Sequence, residues 1–504
     1  MKAHWGFIAG MALLSAALLN LGDTLHPIWW AMWLAPIPML VASFRCTGRR
    51  AALLIAAIAL SGCVSVALGL TAVGLIPAIL ITVGRLLEWL GIGLGTRRLV
   101  LNSRHWLVPF AYPIIWAALD TILTRGLADG AAGSLAFTQM DALPVIQIAA
   151  VTGQAGIVFL IGLFASTVAV ACHRGRDIER PALAYGLPVA VLIAALGYGA
   201  LRLTGVDSGD TVPVGMAALD RSIKEYVTSG APDAPIWTRY DAKVAGLAAR
   251  GARIVVLPEK IARVDANAAG PLRARLGAIA KAHSVHLVVG LSIDAPDHGE
   301  NRSWLFGPDG TLEGDYAKQH MVPHLEDEYR PGHEAVLRMI GGASYGLTIC
   351  KDMDFPPLGR LYSQLGAMAL LVPAWDFDAD GWYHDRMAVL LGVESGTTII
   401  RSALQGLMSV SDQYGRVLAE APSSATDAGG SLFLAAALLG TGQPTLYARF
   451  GDWFGWTCLA LWIGLMVRTR LPGRRVGGPP PGAVIKSLNP SQIERNINPY
   501  VLGL

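Results

Sequence analysis

Charge is scarce in this 504-residue chain: Asp, Glu, Lys and Arg make up 15% of it, where a soluble domain carries about a quarter. The deficit is not spread evenly. It falls on the first two hundred residues and on a stretch near the C-terminus, while the middle, from about Asp207 to Gly442, has ordinary globular composition. That pattern excludes a wholly soluble protein and predicts a polytopic membrane protein with one water-soluble insert. The net charge of +3 is too small to argue for a nucleic-acid partner. Cysteine is also scarce. Of Cys46, Cys63, Cys172, Cys350 and Cys458, only Cys350 lies in the insert, so the insert has no internal disulfide. There is no Cys-x-x-Cys pair and no zinc-ligand spacing, so no metal site is expected. A lone thiol in such a domain is either an inert core residue or a nucleophile.

What is abundant is apolar runs. A span needs roughly 20 residues to cross a bilayer. Eight candidates occur, at about Trp5–Leu21, Ile28–Phe44, Ala51–Leu70, Thr71–Leu90, Trp106–Leu123, Gly153–Ala171, Pro181–Leu201 and Trp453–Val467. Arginine clusters follow every second one: Arg45, Arg49 and Arg50; Arg97, Arg98 and Arg104; Arg174, Arg176 and Arg180; Arg468, Arg470, Arg474 and Arg475. The alternate loops hold Arg125 as their one firm cation. By the positive-inside rule, eight spans put both termini in the cytoplasm and the insert outside. The 124–152 loop, mixing Gly126, Gly130 and Gly133 with Thr138, Gln139, Asp141 and Gln147, reads equally as a surface loop or as a partly re-entrant segment. Arg85 and Glu88, three apart near the inner end of the fourth run, read as an interfacial ion pair. Trp29, Trp30 and Trp453 fit an interfacial aromatic belt.

Within the insert, short apolar runs alternate with helical ones. Strands are expected at Val212–Ala218, Arg253–Leu257, His286–Leu291, Trp304–Phe306, Leu312–Tyr316, Gly346–Cys350, Ala369–Val372, Thr397–Arg401, Leu407–Asp412 and Val417–Leu418. Helices are expected at Trp237–Arg250, Leu272–His283, Leu358–Leu365 and His384–Glu394. The alternation predicts an α/β layered domain. Glu259, Lys318 and Cys350 each stand at a strand end, where sites are commonly built. A thiol needs a base or a cation to become a nucleophile. A buried glutamate can be that base, and a lysine can favour the thiolate and hold an oxyanion. These three residue types alone do not choose between the inert and the reactive cysteine.

Leu257-Pro258-Glu259, Tyr316-Ala317-Lys318-Gln319-His320 and Ile349-Cys350-Lys351-Asp352-Met353-Asp354-Phe355-Pro356 resemble, in order and spacing, the Glu-Lys-Cys signature of the nitrilase (carbon–nitrogen hydrolase) superfamily. With apolar runs on either side, the whole is similar to the apolipoprotein N-acyltransferase family. Pro144–Ala149 with Gly153 and Gly156, Lys318–Pro323, and Pro444–Asp452 are similar to that family's local segments. The resemblance implies about eight transmembrane helices plus a nitrilase-type αββα sandwich. Its divisions are 1–205 for seven helices, 206–443 for the extracytoplasmic catalytic domain, 444–468 for the last helix, and 469–504 for a cytoplasmic, disordered tail. It implies catalytic Glu259, Lys318 and Cys350, with Glu326, Lys351 and Asp352 in support. No cofactor is implied. The partners implied are a phospholipid acyl donor, a diacylated lipoprotein acceptor and membrane lipid, around a monomer in the bacterial inner membrane. A membrane-anchored amidase acting on a small carbon–nitrogen substrate is the alternative, and an inactive domain on a transporter or scaffold is a third.

Several residues depart from the pattern. Lys351 stands where the acyltransferases carry tyrosine, and either favours the thiolate or points to solvent. Lys260 follows the glutamate. Ala218-Leu219-Asp220 replaces Gln-Gly-Asn, and His324-Leu325 replaces Phe-Gly before Glu326. His320, His324 and His333 lack metal spacing. Trp375, Trp382 and Tyr383 suit either a lid dipping into lipid or a core.

Overall fold

A computed structural model of the chain describes residues 2–71, 74–204, 211–219, 230–423 and 431–470. Asp220 and the tail beyond Arg470 lie outside the described residues. Residues 2–462 form one compact unit; of the second unit, Ile463–Leu504, the end of helix Trp453–Arg470 is described.

All eight apolar runs are helical. Four helices are long and apolar enough to cross a bilayer: Trp5–Gly22, Ala78–Asn102, Gln154–Arg174 and Pro181–Leu203. A fifth span is present if Gly48–Gly62 and Val64–Leu70, bent by 43° at Cys63, count as one. The run Trp29–Phe44 breaks at Ala35, where Pro36 opens a new helix. Helix Ala111–Gly126 has 16 residues.

The fourth run extends further than its hydropathy suggests, as one helix from Leu75 to Asn102. Arg85 and Glu88 therefore lie well inside that helix, and both are buried within the protein. Arg85 pairs with Glu88 at 3.0 Å and with Asp23, from the end of the first helix, at 3.2 Å. An unpaired charge in such surroundings is costly, so each partner needs the others.

The insert folds into thirteen strands: β1 (Thr211–Ala217), β2 (Ile254–Val256), β3 (Arg263–Asp265), β4 (His286–Asp294), β5 (Gly299–Phe306), β6 (Leu312–Ala317), β7 (Val336–Ile340), β8 (Ala343–Leu347), β9 (Ala369–Trp375), β10 (Thr398–Leu404), β11 (Leu407–Ser411), β12 (Val417–Pro422) and β13 (Ser431–Leu438). Sheet one runs β13-β1-β2-β4-β5-β6, with β3 added to β4; sheet two runs β12-β11-β10-β9-β8-β7. The central strands β1, β2 and β4 in one sheet, and β8, β9 and β10 in the other, pair in parallel. Their near-continuous Val, Ile and Leu content is what strands covered on both faces require. Residues of both sheets, among them Val255, Val288, Tyr345, Leu371 and Ile400, share one buried core. Helices Pro235–Ala249 and Ala266–Ala282 cover the outer face of sheet one. Helices Pro356–Gln364 and Gly381–Ser395 cover sheet two through Leu358, Tyr362, Ala388 and Leu391. The order is helix, sheet, sheet, helix.

The sequence reading missed β3, β7 and β13, which are short or lie at sheet edges. It also carried the eighth strand too far. β8 ends at Leu347, and Cys350 opens a short 3-10 turn, Cys350–Asp354.

The 124–152 segment is not an ordinary surface loop. It is a string of short turns and helical pieces, Gly130–Gly133, Leu135–Gln139, Leu143–Ile146 and Ala149–Thr152, largely buried. It lies between the apolar helices and the sheets. Gln147 donates to the Tyr414 carbonyl at 2.8 Å, and the Gln154 amide donates to Glu394 at 2.8 Å. Trp382 and Tyr383 serve the same junction, while Trp375 packs against the buried core of the insert. Trp382 stacks on His26 at 4.3 Å, and the Tyr383 hydroxyl donates to the Ala132 carbonyl at 2.8 Å.

The buried Asp23–Arg85–Glu88 group gives a test. Arg85→Met should lower the thermal unfolding temperature in detergent, since two carboxylates lose their cation. Adding Asp23→Asn and Glu88→Gln should restore much of the loss, because no charge then remains to solvate. An unchanged unfolding temperature in Arg85→Met would contradict this account.

Candidate active site

The two sheets bring three loop starts together. Glu259 follows β2, Lys318 follows β6, and Cys350 follows β8. The Glu259 amide donates to the Ala374 carbonyl of β9 at 3.2 Å, which ties the first sheet to the second beside the site. Gly290 of β4 makes room for this loop, since a Cβ there would meet the Pro258 carbonyl at 2.5 Å. All three residues line one cavity of about 350 Å³, with Lys260, Glu326, Trp375 and Arg401 among its walls.

Lys318 is 1% exposed, and its ammonium donates to Glu259 Oε1 at 2.9 Å and to Glu326 Oε2 at 2.8 Å. Burial would lower its pKa, but the two carboxylates outweigh that and hold it well above the ordinary lysine value. Glu326 also accepts from Lys260 at 2.6 Å, from the Asn301 side-chain amide at 2.9 Å and from the Val322 amide at 2.9 Å. Burial would raise its carboxyl; Lys318 and Lys260 prevail and hold it down to about 2. Lys260, unusual in sequence, thus supplies the second cation that a second buried carboxylate needs.

Asn301 escaped the sequence reading. Its amide bridges Glu259 Oε1, at 2.6 Å, and Glu326 Oε1, so the two carboxylates are held by a neutral donor as well as by lysine. The available signal was a polar residue at an inward position of a strand. Arg401 and Asp376 also escaped it. They pair at 2.5 Å, Asp376 from just after β9 and Arg401 from β10, both fully buried.

Cys350 is half-buried and has a φ of +43°, in the left-handed region that a side chain rarely occupies. The turn holds it there. Asp352, fully buried, accepts from the Ile349 amide at 3.1 Å and the Tyr316 hydroxyl at 2.7 Å, and from the Gln319 and His320 amides at 3.2 and 3.0 Å. Asp352 therefore fastens the cysteine turn to the lysine strand; its oxygens serve neighbouring donors. His320 gives its Nδ1 to the same carboxylate at 2.9 Å and stacks on Phe355. His320 and His324 join no metal cluster, and none occurs among the described residues.

The Cys350 thiol lies 3.5 Å from the Trp375 carbonyl. Burial, then the Glu259 carboxylate, push it well above its ordinary 9.0, against the pull of Lys318 and Arg401. The resting sulfur is a thiol, so attack requires its proton to be taken within the site. Lys351 neither points to open solvent nor acts as the thiol's main cation. Its ammonium is 2.8 Å from Asp129 and 3.8 Å from Asp354.

His384, on the helix flanking the cavity, faces Asp376 at 3.7 Å and Asp380 at 3.6 Å. Burial would lower it; the Asp380, Asp376 and Asp354 carboxylates raise it from 6.5 to about 9.

Comparison with known proteins divides the chain the same way. Residues 224–401 match the model of carbon–nitrogen hydrolases, which makes this part a nitrilase-type α/β domain of an enzyme; Glu259, Lys318 and Cys350 lie within it. Residues 15–167 match the apolipoprotein N-acyltransferase N-terminal domain, so the resemblance to apolipoprotein N-acyltransferase is borne out over both parts. An apolipoprotein N-acyltransferase of Geobacter metallireducens is 27% identical over 69% of this chain and 72% of its own. One of Bradyrhizobium diazoefficiens is 26% identical over 66% and 68%. A deaminated glutathione amidase of Yersinia enterocolitica is 25% identical over 34% of this chain and 73% of its own. Among solved structures, an amidase from Nesterenkonia aligns over 49% of this chain and 95% of its own, at 21% identity and a TM-score of 0.40.

Two outcomes follow from the charge arrangement. Lys318→Met should abolish turnover and destabilise the fold by roughly 3–5 kcal/mol, since two buried carboxylates lose their shared cation; denaturant unfolding checks it. His384, raised in the folded state, contributes stability that is present below pH 6.5 and lost as pH rises through about 9. The unfolding temperature should fall across that window, and less steeply in His384→Gln. Glu394, pushed up by burial to about 8, titrates in the same range, so some slope should remain.

Proposed function

We propose that this protein moves a fatty acyl chain from a phospholipid to the N-terminal cysteine amine of a diacylated lipoprotein, through a thioester on Cys350. One observation carries the reading: the cysteine turn of a carbon–nitrogen hydrolase domain rests directly on a segment of the apolar helical part. Gly130 of that segment lies so close to the Asp354 carbonyl that a Cβ would approach it to 2.5 Å. A soluble amidase has no use for that placement. An enzyme whose two substrates are both anchored in lipid does.

In the first half, Glu259 takes the Cys350 proton and the sulfur attacks the ester carbonyl of the phospholipid. Lys318 and backbone amides hold the oxyanion, the carbon–oxygen bond breaks, and the lysophospholipid leaves with the proton from Glu259. In the second half, the lipoprotein amine attacks the thioester, Glu259 accepts the amine's proton, the carbon–sulfur bond breaks, and Glu259 returns the proton to the departing sulfur. Glu326 keeps Lys318 placed and charged. Asp352 fixes the turn. No cofactor enters either half.

On this reading the eight helical runs are eight spans of a monomer in a bacterial inner membrane. Residues 1–205 carry seven spans, 206–443 form the catalytic domain on the outer side, and 444–468 return the chain to the cytoplasmic tail. The arginine clusters support that orientation.

The test is intact-protein mass spectrometry after incubation with phospholipid vesicles. An added acyl mass on wild type, absent in Cys350→Ser, is expected, with release of that mass on adding a peptide bearing a diacylated N-terminal cysteine. Hydrolysis of a short amide with no adduct would replace this reading by the membrane-anchored amidase.

A further inference from the structure

Lys351 directly follows the nucleophile, yet its ammonium is spent elsewhere. The side chain is 9% exposed and reaches Asp129, which belongs to the stretch between the fifth and sixth apolar runs. The charges acting most strongly on the thiol are instead those of Glu259, Lys318, Asp376 and Arg401. The contact does not stand alone. One residue on, Gly130 has a φ of +57° and sits against the Asp354 carbonyl and the Phe355 ring, at the other end of the same turn. Two residues further, the Ala132 carbonyl accepts from Tyr383 of the helix that carries His384. Phe137 then meets the Tyr383 ring edge-on at 5.6 Å. Both ends of the turn Cys350–Asp354 thus press on residues 129–132, and the turn holds its cysteine in an unfavourable backbone conformation.

We propose that Asp129, acting through Lys351, is a positioning residue that sets the cysteine turn from the membrane side. A buried ammonium needs a counter-charge. Asp354 is 3.8 Å away and Asp129 2.8 Å, so Asp129 decides where the Lys351 side chain, and with it the backbone beside Cys350, comes to rest. Asp129 touches no substrate on this account. It completes the site from outside the carbon–nitrogen hydrolase domain. The inference rests on the reading of Cys350 as the nucleophile.

The experiment uses the full-length protein in nanodiscs, with Asp129→Asn, Lys351→Met and the double variant. Asp129 is 62% exposed on its side chain, so the Asn substitution does not threaten folding. Two rates are read: iodoacetamide labelling of the Cys350 peptide, and single-turnover acyl adduct formation from phospholipid. Each single variant should lower both by about tenfold or more, with the phospholipid concentration dependence unchanged. The double variant should be no slower than the slower single one, because both act through one contact. Asp129→Glu should recover part of the loss. Wild-type rates in Asp129→Asn, or losses that multiply in the double variant, would overturn the proposal. If labelling depends on Asp129 but wild type forms no acyl adduct, the positioning role stands and the acyl-transfer reading fails. If the adduct forms in Asp129→Asn as in wild type, the reverse holds.

Discussion

The site depends on one ammonium. Lys318, shut off from solvent, lies between Glu259 and Glu326, and without it two carboxylates would face each other in a region that cannot solvate them. Like charges at such range cannot both stay ionised, and one of the two carboxylates would be lost to protonation. Lys260 and Asn301 extend the arrangement, so that each carboxylate has a cation and a neutral donor. The fold serves this group by supplying three loop starts from two sheets at one place.

Around that charge network, the thiol is held well above its ordinary pKa, by burial first and by the Glu259 carboxylate second. On the proposed function, this suits a nucleophile that must wait for an acyl donor. A standing thiolate would be open to oxidation and alkylation at all times. On the proposed function, the sulfur becomes reactive only when Glu259 takes the proton with the carbonyl in reach, so activation and attack belong to one event.

Much of this was legible in the sequence, for stated reasons. Apolar length revealed the helical runs, four of which are long and apolar enough to cross a bilayer. The alternation of buried strands with amphipathic helices revealed the layered domain. Glu259, Lys318, Glu326 and Cys350 were legible because motifs far apart in the chain agreed with a known pattern. What was not legible depends on side chains meeting across the fold. Asn301 is one polar residue in a strand, and nothing local marks it as the bridge between two carboxylates. Lys351 has its partner Asp129 in a segment with no motif, 222 residues away. The burial of Arg85 was not legible because helix Leu75–Asn102 continues through polar residues that a hydropathy window treats as an end.

The pairing of β1 with β13 has a bearing on how such a chain can be assembled. Thr211 lies opposite Leu438, so the first and last strands of the insert run side by side in opposite directions. The polypeptide enters and leaves the sheets at neighbouring points. To the helices before and after it, the large insert makes much the same geometric demand as a short hairpin. A domain with adjoining ends can be spliced into a connection without forcing the flanking segments apart. The helical host and its guest can therefore have separate histories, with contacts such as Asp129–Lys351 fitting the two surfaces to each other.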